Sequence, residues 1–566
     1  MLHRTLIAAS LCSLLACEVP AATPPAANAP TATPSAPAPA AQPPVTVVIA
    51  YGSEKKTWLD EQVKTWLAGM PTTKSGRPIK VDARAMGSGD AAASILDGTL
   101  KAHVFSPASS AYVALLNQQW LSQPGHTKPL VPAGDALVLS PIVIAMWQPM
   151  AEALGWPKKQ LGWSDLLKVN ADKRGWGAYG HPEWGSFKLG HTHPQFSNSG
   201  LQAIVAIAYA GAKKSRGLTA ADVDSKNVAK LLGDVEDTIV HYGKSTGFFA
   251  DKMVERGPSY LSAAVLYENL VVEAANKGKS ALPLVAIYPV EGTFWSDHPY
   301  AVLDADWVGV DERDAAEQLL VFLKAKPAQT RALALGFRPA DPAIAIGAPV
   351  DAAHGVDPKQ PQTLLDVPDG PVLQKLLELW AKNKKPTHVV LVFDKSGSMA
   401  GAALNEAKAG ARGFLDVLHD NDEVSLIFFD DKVMPPLGPF KLKDGKLQLQ
   451  RAIDGVIAGG GTALYDATLE AFTSCSDSAK KEHDRIQAVV VMTDGADSGH
   501  SMTLDTLKQK LTSTDGESSV HVFTIAFGEQ AQEPVLKDIA AAGGGAEAKG
   551  KVDDIVGVFR DMASFF

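Results

Sequence analysis

Short strand-like runs alternating with helix-like stretches organise most of the chain. "PVTVVIAYGSEKKTWLDEQVKTW" opens with a β-rich apolar run, Val45 to Tyr51, turns at a Gly-Ser pair and continues as a helical pattern carrying Trp58, Val63 and Trp66. The same order returns at Ile79 to Ala85 followed by "MGSGDAAASILDGTL", and again in "HVFSPASSAYVALLN". Repetition of this kind predicts a parallel α/β sheet. Between residues 366 and 385 the pattern becomes one amphipathic helix, with Val372, Leu373, Leu376, Leu377 and Trp380 on a stripe too short for a coiled-coil seam. From residue 386 to 566 the alternation restarts. "HVVLVFD", "EVSLIFFD" and "RIQAVVVMTDGAD" read as strands, and "ALNEAKAGARGFLDVL", "KLQLQRAIDGV" and "GGGTALYDATLEAF" lead through helices. "TLDTLKQKLT", "SVHVFTIAFG", "PVLKDIAAAGGG" and a last helix, "VDDIVGVFRDM", complete the run. Strands this continuously rich in Val, Ile, Leu and Phe are buried on both faces, which predicts a doubly wound sheet.

Length and composition then set the frame. At 566 residues the chain holds two or three domains. A net charge of -9 gives no basic footprint for nucleic acid. The first segment, residues 1–17, "MLHRTLIAASLCSLLAC", has a charged start at Arg4 and an apolar core from Leu6 to Leu15, and reads as an export signal. Its ending, Leu14-Leu15-Ala16-Cys17, resembles a bacterial lipobox, which implies cleavage before Cys17 and lipidation of that residue. An ordinary signal cleaved after Ala21 or Ala22 is the alternative. Glu18 differs from the Asp that resembles an inner-membrane retention signal, so the periplasmic side of the outer membrane is favoured for a Gram-negative host. Residues 18–44, nearly all Ala, Pro and Thr, cannot bury a core and read as a disordered tether. No other run approaches about 18 apolar residues, so the lipid is expected to be the sole membrane anchor. Of the three cysteines, Cys12 leaves with the signal, Cys17 carries lipid and Cys475 is left without a partner, so no disulfide is expected.

Candidate chemistry in residues 45–365 begins with serines. Ser53, Ser88 and the group Ser106, Ser109 and Ser110 fall in successive strand-to-helix turns. Helix-start N–H groups and hydroxyls can hold a small polar or anionic solute, although a serine there is also a good helix cap. The pieces "AMGSGDAAASILDG", "VLSPIVIAMW", "FKLGHTHPQFSNSGLQAI", "YENLV", "IYPVEGTFWSDHPYAVLD" and "ALGFRPAD" resemble type II periplasmic solute-binding proteins. That resemblance implies two α/β lobes around a cleft, one from roughly residues 45–145 plus 285–365 and the other from roughly 146–284. Ser197 and Ser199 precede a long apolar helix expected to face the cleft. Tyr267, Glu268, Tyr288 and Glu291 are cleft candidates by family position. His191 and His193 would share a strand face, but no third metal ligand at a recognisable spacing accompanies them. "GKSTG" at 243–247 satisfies G-x-S-x-G, yet is expected to follow a helix, where a nucleophile elbow needs a strand. Read as a P-loop it lacks the first glycine, whose place Thr238 takes.

Residues 386–566 carry a sharper pattern. Two apolar strands end on carboxylates, Asp394 and Asp494, and two turns carry hydroxyls, Ser396 with Ser398, and Thr462. In a doubly wound sheet these meet at one carboxyl edge. Five oxygen donors, two of them anionic, suit a hard cation such as Mg²⁺ or Mn²⁺, and the absence of Cys and His from the set disfavours zinc. Asp394-x-Ser396-x-Ser398, Thr462 in "GGGTALYDA" and Asp494 in "VVMTDG" resemble the metal-ion-dependent adhesion site of a von Willebrand factor A (VWA) domain, a Rossmann-like fold. The resemblance implies direct ligation by Ser396, Ser398 and Thr462, water-mediated contact through Asp394 and Asp494, and a partner protein supplying an Asp or Glu carboxylate. Asp497 is expected to be merely solvated. The function expected is a lipid-anchored binding protein with a solute cleft and a metal-dependent adhesion-type domain. A transport receptor with an accessory VWA domain and a non-catalytic chelatase-like subunit are the alternatives. No nucleophile–base set suggests an enzyme.

Overall fold

The computed structural model describes residues 42–481, 485–498, 501–512, 520–528 and 531–550, together with Ile555, Val558, Phe559, Met562 and Phe565. The export signal, Cys17 and all but the last three residues of the tether lie outside these. Pro43–Phe566 form one compact unit built on three sheets.

The first sheet orders its strands Ile79–Met86, Val45–Gly52, Val104–Ser106, Pro299–Val302 and Asp135–Ala136. Its first three strands run parallel and the last two pairings are antiparallel. The second sheet runs Trp295–Ser296, Val138–Trp147, Ala263–Tyr267, Leu189–Thr192 and Ile239–Gly243, with Leu284–Ile287 and Arg338–Pro339 also pairing on Val138–Trp147. Both sheets are therefore mixed rather than purely parallel. The lobe division also differs from the expected one. Val138–Trp147 lies wholly in the second sheet, so the chain crosses at Leu137, which donates to His298 O on the returning segment at 3.2 Å. Leu284–Ile287 and residues 338–365 return to the second lobe, tied by Ala286 N–H to Gly355 O (2.8 Å) and Thr293 N–H to Thr363 O (3.1 Å). The reason is pairing: Val138–Trp147 is a ten-residue buried strand that recruits every antiparallel partner within reach.

The third sheet runs Leu437–Lys441, Glu423–Phe429, Thr387–Asp394, Ile486–Thr493, Val520–Phe527 and Gly544–Gly550. It is parallel except for the edge strand Leu437–Lys441. Successive side chains of a strand point to opposite faces. Val389, Leu391 and Phe393 accordingly pack with Phe414, Leu449 and Phe559 on one side, and Val390 and Val392 pack with Leu464, Phe472 and Leu536 on the other. The amphipathic helix is Gly370–Asn383, started by Asp369, whose carboxylate accepts from Val372 N–H at 3.0 Å. Its apolar stripe, Val372, Leu373, Leu376, Leu377 and Trp380, joins the core of the lobes, which reaches Ile486 of the third sheet.

Candidate metal centre and solute cleft

The parallel register brings the five oxygen-bearing residues of the third sheet together. Asp394 pairs with Phe429, and Phe393 with Met492, so Asp394 ends level with Thr493 and Asp494 at the carboxyl edge. Asp394 is fully buried. Its Oδ1 accepts from Ser396 N–H at 2.7 Å and its Oδ2 from the Thr493 hydroxyl at 2.5 Å. Ser396 Oγ lies 3.0 Å from Ser398 Oγ, and the exposed Ser398 hydroxyl donates to Asp494 Oδ1 at 2.7 Å. The loop bearing Thr462 is laced to the first turn through Gly397 N–H to Gly460 O (3.1 Å) and Gly459 N–H to Lys395 O (2.8 Å). A methyl group placed on Gly495 would lie 3.4 Å from Thr462 Oγ1 and 3.7 Å from Ser398 Oγ, so the two hydroxyls face the same small space above that glycine.

Burial pushes the carboxyls of both Asp394 and Asp494 above the usual range, and the charge of Asp494 adds to the shift at Asp394; donated hydrogen bonds oppose it. Lys395 is engaged with Asp430, and among the described residues no salt bridge reaches Asp394 or Asp494. A clustered set of hydroxyls and two carboxylates with no cationic side chain paired to them fits a hard divalent ion. Asp497 is not merely solvated. Its carboxylate accepts from Tyr465 N–H at 3.1 Å and so caps the helix Leu464–Ala479 that follows Thr462.

The first region closes its cleft with its own groups. Phe196 O, in the second lobe, accepts from Gly89 N–H (2.9 Å) and Asp90 N–H (3.2 Å) at the start of the helix Ser88–Leu96 in the first lobe. Pro194 O accepts from the Tyr112 hydroxyl at 2.5 Å, and Ser53 Oγ from Gly247 N–H at 3.2 Å. A methyl group on Gly87 would sit 2.2 Å from Phe196 O and one on Gly89 2.0 Å from Gln195 O. The amides expected to hold a solute are thus taken by a backbone carbonyl.

The predicted cleft residues divide. Ser109 donates to Asn198 Oδ1 at 2.6 Å across the lobes, and Asn198 Nδ2 donates to the Tyr267 hydroxyl at 2.9 Å. Ser106 is buried, its Oγ without a hydrogen-bond partner among the described residues. Ser88 turns inward and accepts from Ala108 N–H at 3.0 Å. Ser197 and Ser199 meet Thr246 at 3.2 and 2.9 Å, inside the second lobe. Ser110 begins its helix, its N–H donating to Asp297 Oδ1 at 2.8 Å. Tyr288 donates to Glu268, which Arg338 clamps at 2.8 and 2.7 Å, and lines a separate cavity of about 290 Å³ with Trp156 and Asp357. Glu291 accepts from Trp163 N–H at 3.3 Å. Tyr288 and Glu291 therefore belong to other hydrogen-bond groups than the cleft cluster. His191 is committed to Glu236 at 3.0 Å, and His193 packs its ring on Trp380 at 4.6 Å, so both have structural work.

Two features are not apparent from the sequence pattern. Glu54 and Lys55, directly after the first Gly-Ser turn, form a buried cluster with His298: Lys55 Nζ lies 2.9 Å from Glu54 Oε1 and 3.4 Å from His298 Nδ1, with Glu54 3.2 Å from the same nitrogen. A charged pair following a strand end, where the pattern is otherwise apolar, was the available signal. The other is the setting of "GKSTG". It follows a strand, Ile239–Gly243, and leads into the helix Thr246–Arg256, not the helical stretch expected. Ser245 nevertheless has φ -145 and ψ 153, an ordinary extended cap rather than the strained turn of a nucleophile elbow.

Residues 47–338 match the family of bacterial extracellular solute-binding proteins, and residues 388–554 match the von Willebrand factor type A domain. The first match covers more than half of the chain: the protein belongs to the bacterial extracellular solute-binding proteins and carries a VWA domain after that region. An uncharacterized protein of Synechocystis sp. is 32% identical over 161 residues, 28% of this chain and 37% of that protein. Inter-alpha-trypsin inhibitor heavy chain H4 of Bos taurus is 28% identical over 167 residues, 28% of this chain and 18% of that protein. The chain thus spans well under half the length of these relatives. Among solved structures, the periplasmic binding protein AfuA from Actinobacillus pleuropneumoniae, with fructose-6-phosphate bound, is 16% identical, covers 61% of this chain and 99% of its own, and gives a TM-score of 0.42. Proximal thread matrix protein 1 of the mussel byssus, with a zinc-occupied adhesion motif, is 17% identical over 31% of this chain and 46% of its own, with a TM-score of 0.26.

Proposed function

We propose that this protein is a lipid-anchored extracytoplasmic binding protein that joins a solute cleft to a metal-dependent, protein-binding VWA domain. The observation that carries the reading is the gathering of Ser396, Ser398, Thr462, Asp394 and Asp494 at one sheet edge, with Ser398 and Asp494 in direct contact at 2.7 Å. Ser396, Ser398 and Thr462 are the residues to hold Mg²⁺ or Mn²⁺, with Asp394 and Asp494 compensating its charge through water. Bound there, the ion supplies a positive charge and an open position for a partner's Asp or Glu carboxylate. Asp394 also braces the first turn by accepting from Ser396 N–H. Titration calorimetry with Mg²⁺, with and without a carboxylate-bearing ligand, tests it. Each ligand should tighten the other by the same factor; equal carboxylate affinity in Mg²⁺ and in chelator would overturn the adhesion role.

Cys17 is the proposed lipid attachment site, and Cys17→Ser should release the protein from the membrane fraction. The cleft of this family takes a small molecule; here a polar or anionic solute must displace Phe196 O from Gly89 and Asp90 to reach the helix start. A solute receptor for a membrane transport system is the second reading, favoured by the two-lobed cleft. The extended backbone of Ser245 speaks against a nucleophile at "GKSTG".

A further inference from the structure

The junction between the second lobe and the VWA domain holds two histidines face to edge. His241 sits on the edge strand of the lobe's sheet and His521 on the strand Val520–Phe527 of the VWA sheet. Their ring centroids are 4.7 Å apart at 80°. His241 Nδ1 lies 3.1 Å from Tyr242 O, and His521 Nδ1 3.1 Å from Gly544 O. A carbonyl only accepts, so each Nδ1 carries the proton and each neutral ring turns a bare Nε2 outward. Both Nε2 atoms are buried and have no hydrogen-bond partner among the described residues.

The surroundings hold no welcome for a second proton. Phe248, Phe523, Phe565 and Tyr260 line the contact. Arg256, on the helix behind His241, donates to Gly545 O of the VWA domain at 2.9 Å and lies over the Tyr260 ring at 5.2 Å. Lys188 donates to Ser259 O at 2.9 Å, and Lys252 stands over Phe248. The carboxylate on this side, Glu255, is 62% exposed and bound to Lys252 at 2.7 Å, with Lys537 of the VWA domain also acting on it.

We propose that the His241–His521 pair is an acid-sensitive latch: it holds the VWA domain on the second lobe while both rings are neutral, and protonation releases it. Release also frees Phe565 O from Tyr242 N–H, a 3.3 Å bond on the edge strand. Burial lowers His241 to about 4, opposed by the hydrogen bond its Nδ1–H donates to Tyr242 O and helped by the charge of Arg256. Burial, then His241 and Arg256, holds His521 well below the ordinary range. In the released form the exposed rings return to about 6.5. Above that value both forms are neutral and the latch is fully effective. As pH falls below it, the released form binds more protons, and docking weakens by up to about tenfold per pH unit for each imidazole.

Small-angle scattering of the full chain from about pH 7.5 to about pH 4.5 tests this, with far-UV circular dichroism confirming that the domains stay folded. The expected result is a growing radius of gyration with uptake of two protons, absent in His241→Asn/His521→Asn, since asparagine keeps a donor near the Nδ1 position and cannot be charged. Each single variant should show uptake of one proton, which decides the matter if the double variant does not dock at neutral pH. A wild type that stays compact throughout, or variants that expand in the same pH window with unchanged proton uptake, would overturn the latch.

Discussion

A carboxylate at the end of a buried strand can brace a turn or balance a cation, and Asp394 is placed for both. Asp394→Ala leaves the buried Ser396 N–H without its acceptor and the buried Thr493 hydroxyl with only Gly495 O at 3.5 Å. An unmet buried group costs about 1–3 kcal/mol, so thermal denaturation in chelator should show a clear loss for Asp394→Ala, a smaller one for Asp394→Asn, and almost none for Ser398→Ala, whose residue is exposed. All three should lose metal-dependent carboxylate binding. The five oxygen residues were readable from sequence because strand ends in a parallel sheet share one edge, so spacing converts directly into proximity. The Glu54–Lys55–His298 cluster was not, because His298 stands 243 residues from Lys55. Burial alone would raise the Glu54 carboxyl; Lys55 and His298 overcome it and hold it at about 2, against an ordinary 4.5. Its stabilising share is therefore present above about pH 4.5 and is lost as pH falls toward 2. Lys55→Met should cost about 3–5 kcal/mol at neutral pH by stranding the carboxylate, with Glu54→Gln/Lys55→Met recovering much of it in urea titrations. Equal stability of Lys55→Met and wild type would mean that the pair is solvated.

At the scale of elements, a strand that is apolar throughout is legible in the sequence and one that is not is hidden. Gly544–Gly550, "GGAEAKG", and Leu437–Lys441, "LGPFK", are edge strands that bury little side chain, so no apolar run marked them. Ile239–Gly243 was hidden because it follows a helix, Lys226–Glu236, after only two residues. Cleft closure was invisible for a related reason: it is made by backbone. Gly87 and Gly89 keep the helix start bare, and Phe196 O approaches where a side chain would stand. Gly89→Ala puts a carbon 2.0 Å from a backbone carbonyl and 2.7 Å from the Tyr112 hydroxyl, neither of which can retreat while the lobes are shut. Scattering should show that variant opened, with the two N–H···O bonds to Phe196 lost at about 1 kcal/mol each, whereas Gly98→Ala, on an open surface, should stay closed. An unchanged radius of gyration in Gly89→Ala would place closure elsewhere.

At the scale of the whole molecule, the helix Gly370–Asn383 joins the solute-binding-protein region to the VWA domain. It packs against Ser110–Ser122 of the first lobe and against Asn198–Ala212 and Lys226–Glu236 of the second, then runs directly into Thr387–Asp394, the strand that ends at a carboxylate of the proposed metal site. Trp380 is fully buried, with ring contacts to His193 at 4.6 Å and Tyr242 at 5.5 Å in the lobe and to His419 at 6.4 Å in the VWA domain. Beside it Lys384 pairs with the buried Asp422 at 3.3 Å, and Asp422 also accepts from Thr387 N–H at 2.8 Å, fixing the entry to that strand. Domains that share a core unfold together, and domains joined only by a linker unfold apart. The wild type should therefore melt in one calorimetric transition whose measured enthalpy equals its van't Hoff enthalpy. Trp380→Ala removes the shared aromatic contact at a cost of about 3–5 kcal/mol, and the transition should divide into two, one of which shifts on adding Mg²⁺ because ligand binding stabilises only the part that holds it. A Trp380→Ala protein that still melts in a single, merely lowered transition would show that the junction at His241, Arg256 and His521 suffices to couple the domains, and that the helix is a spacer.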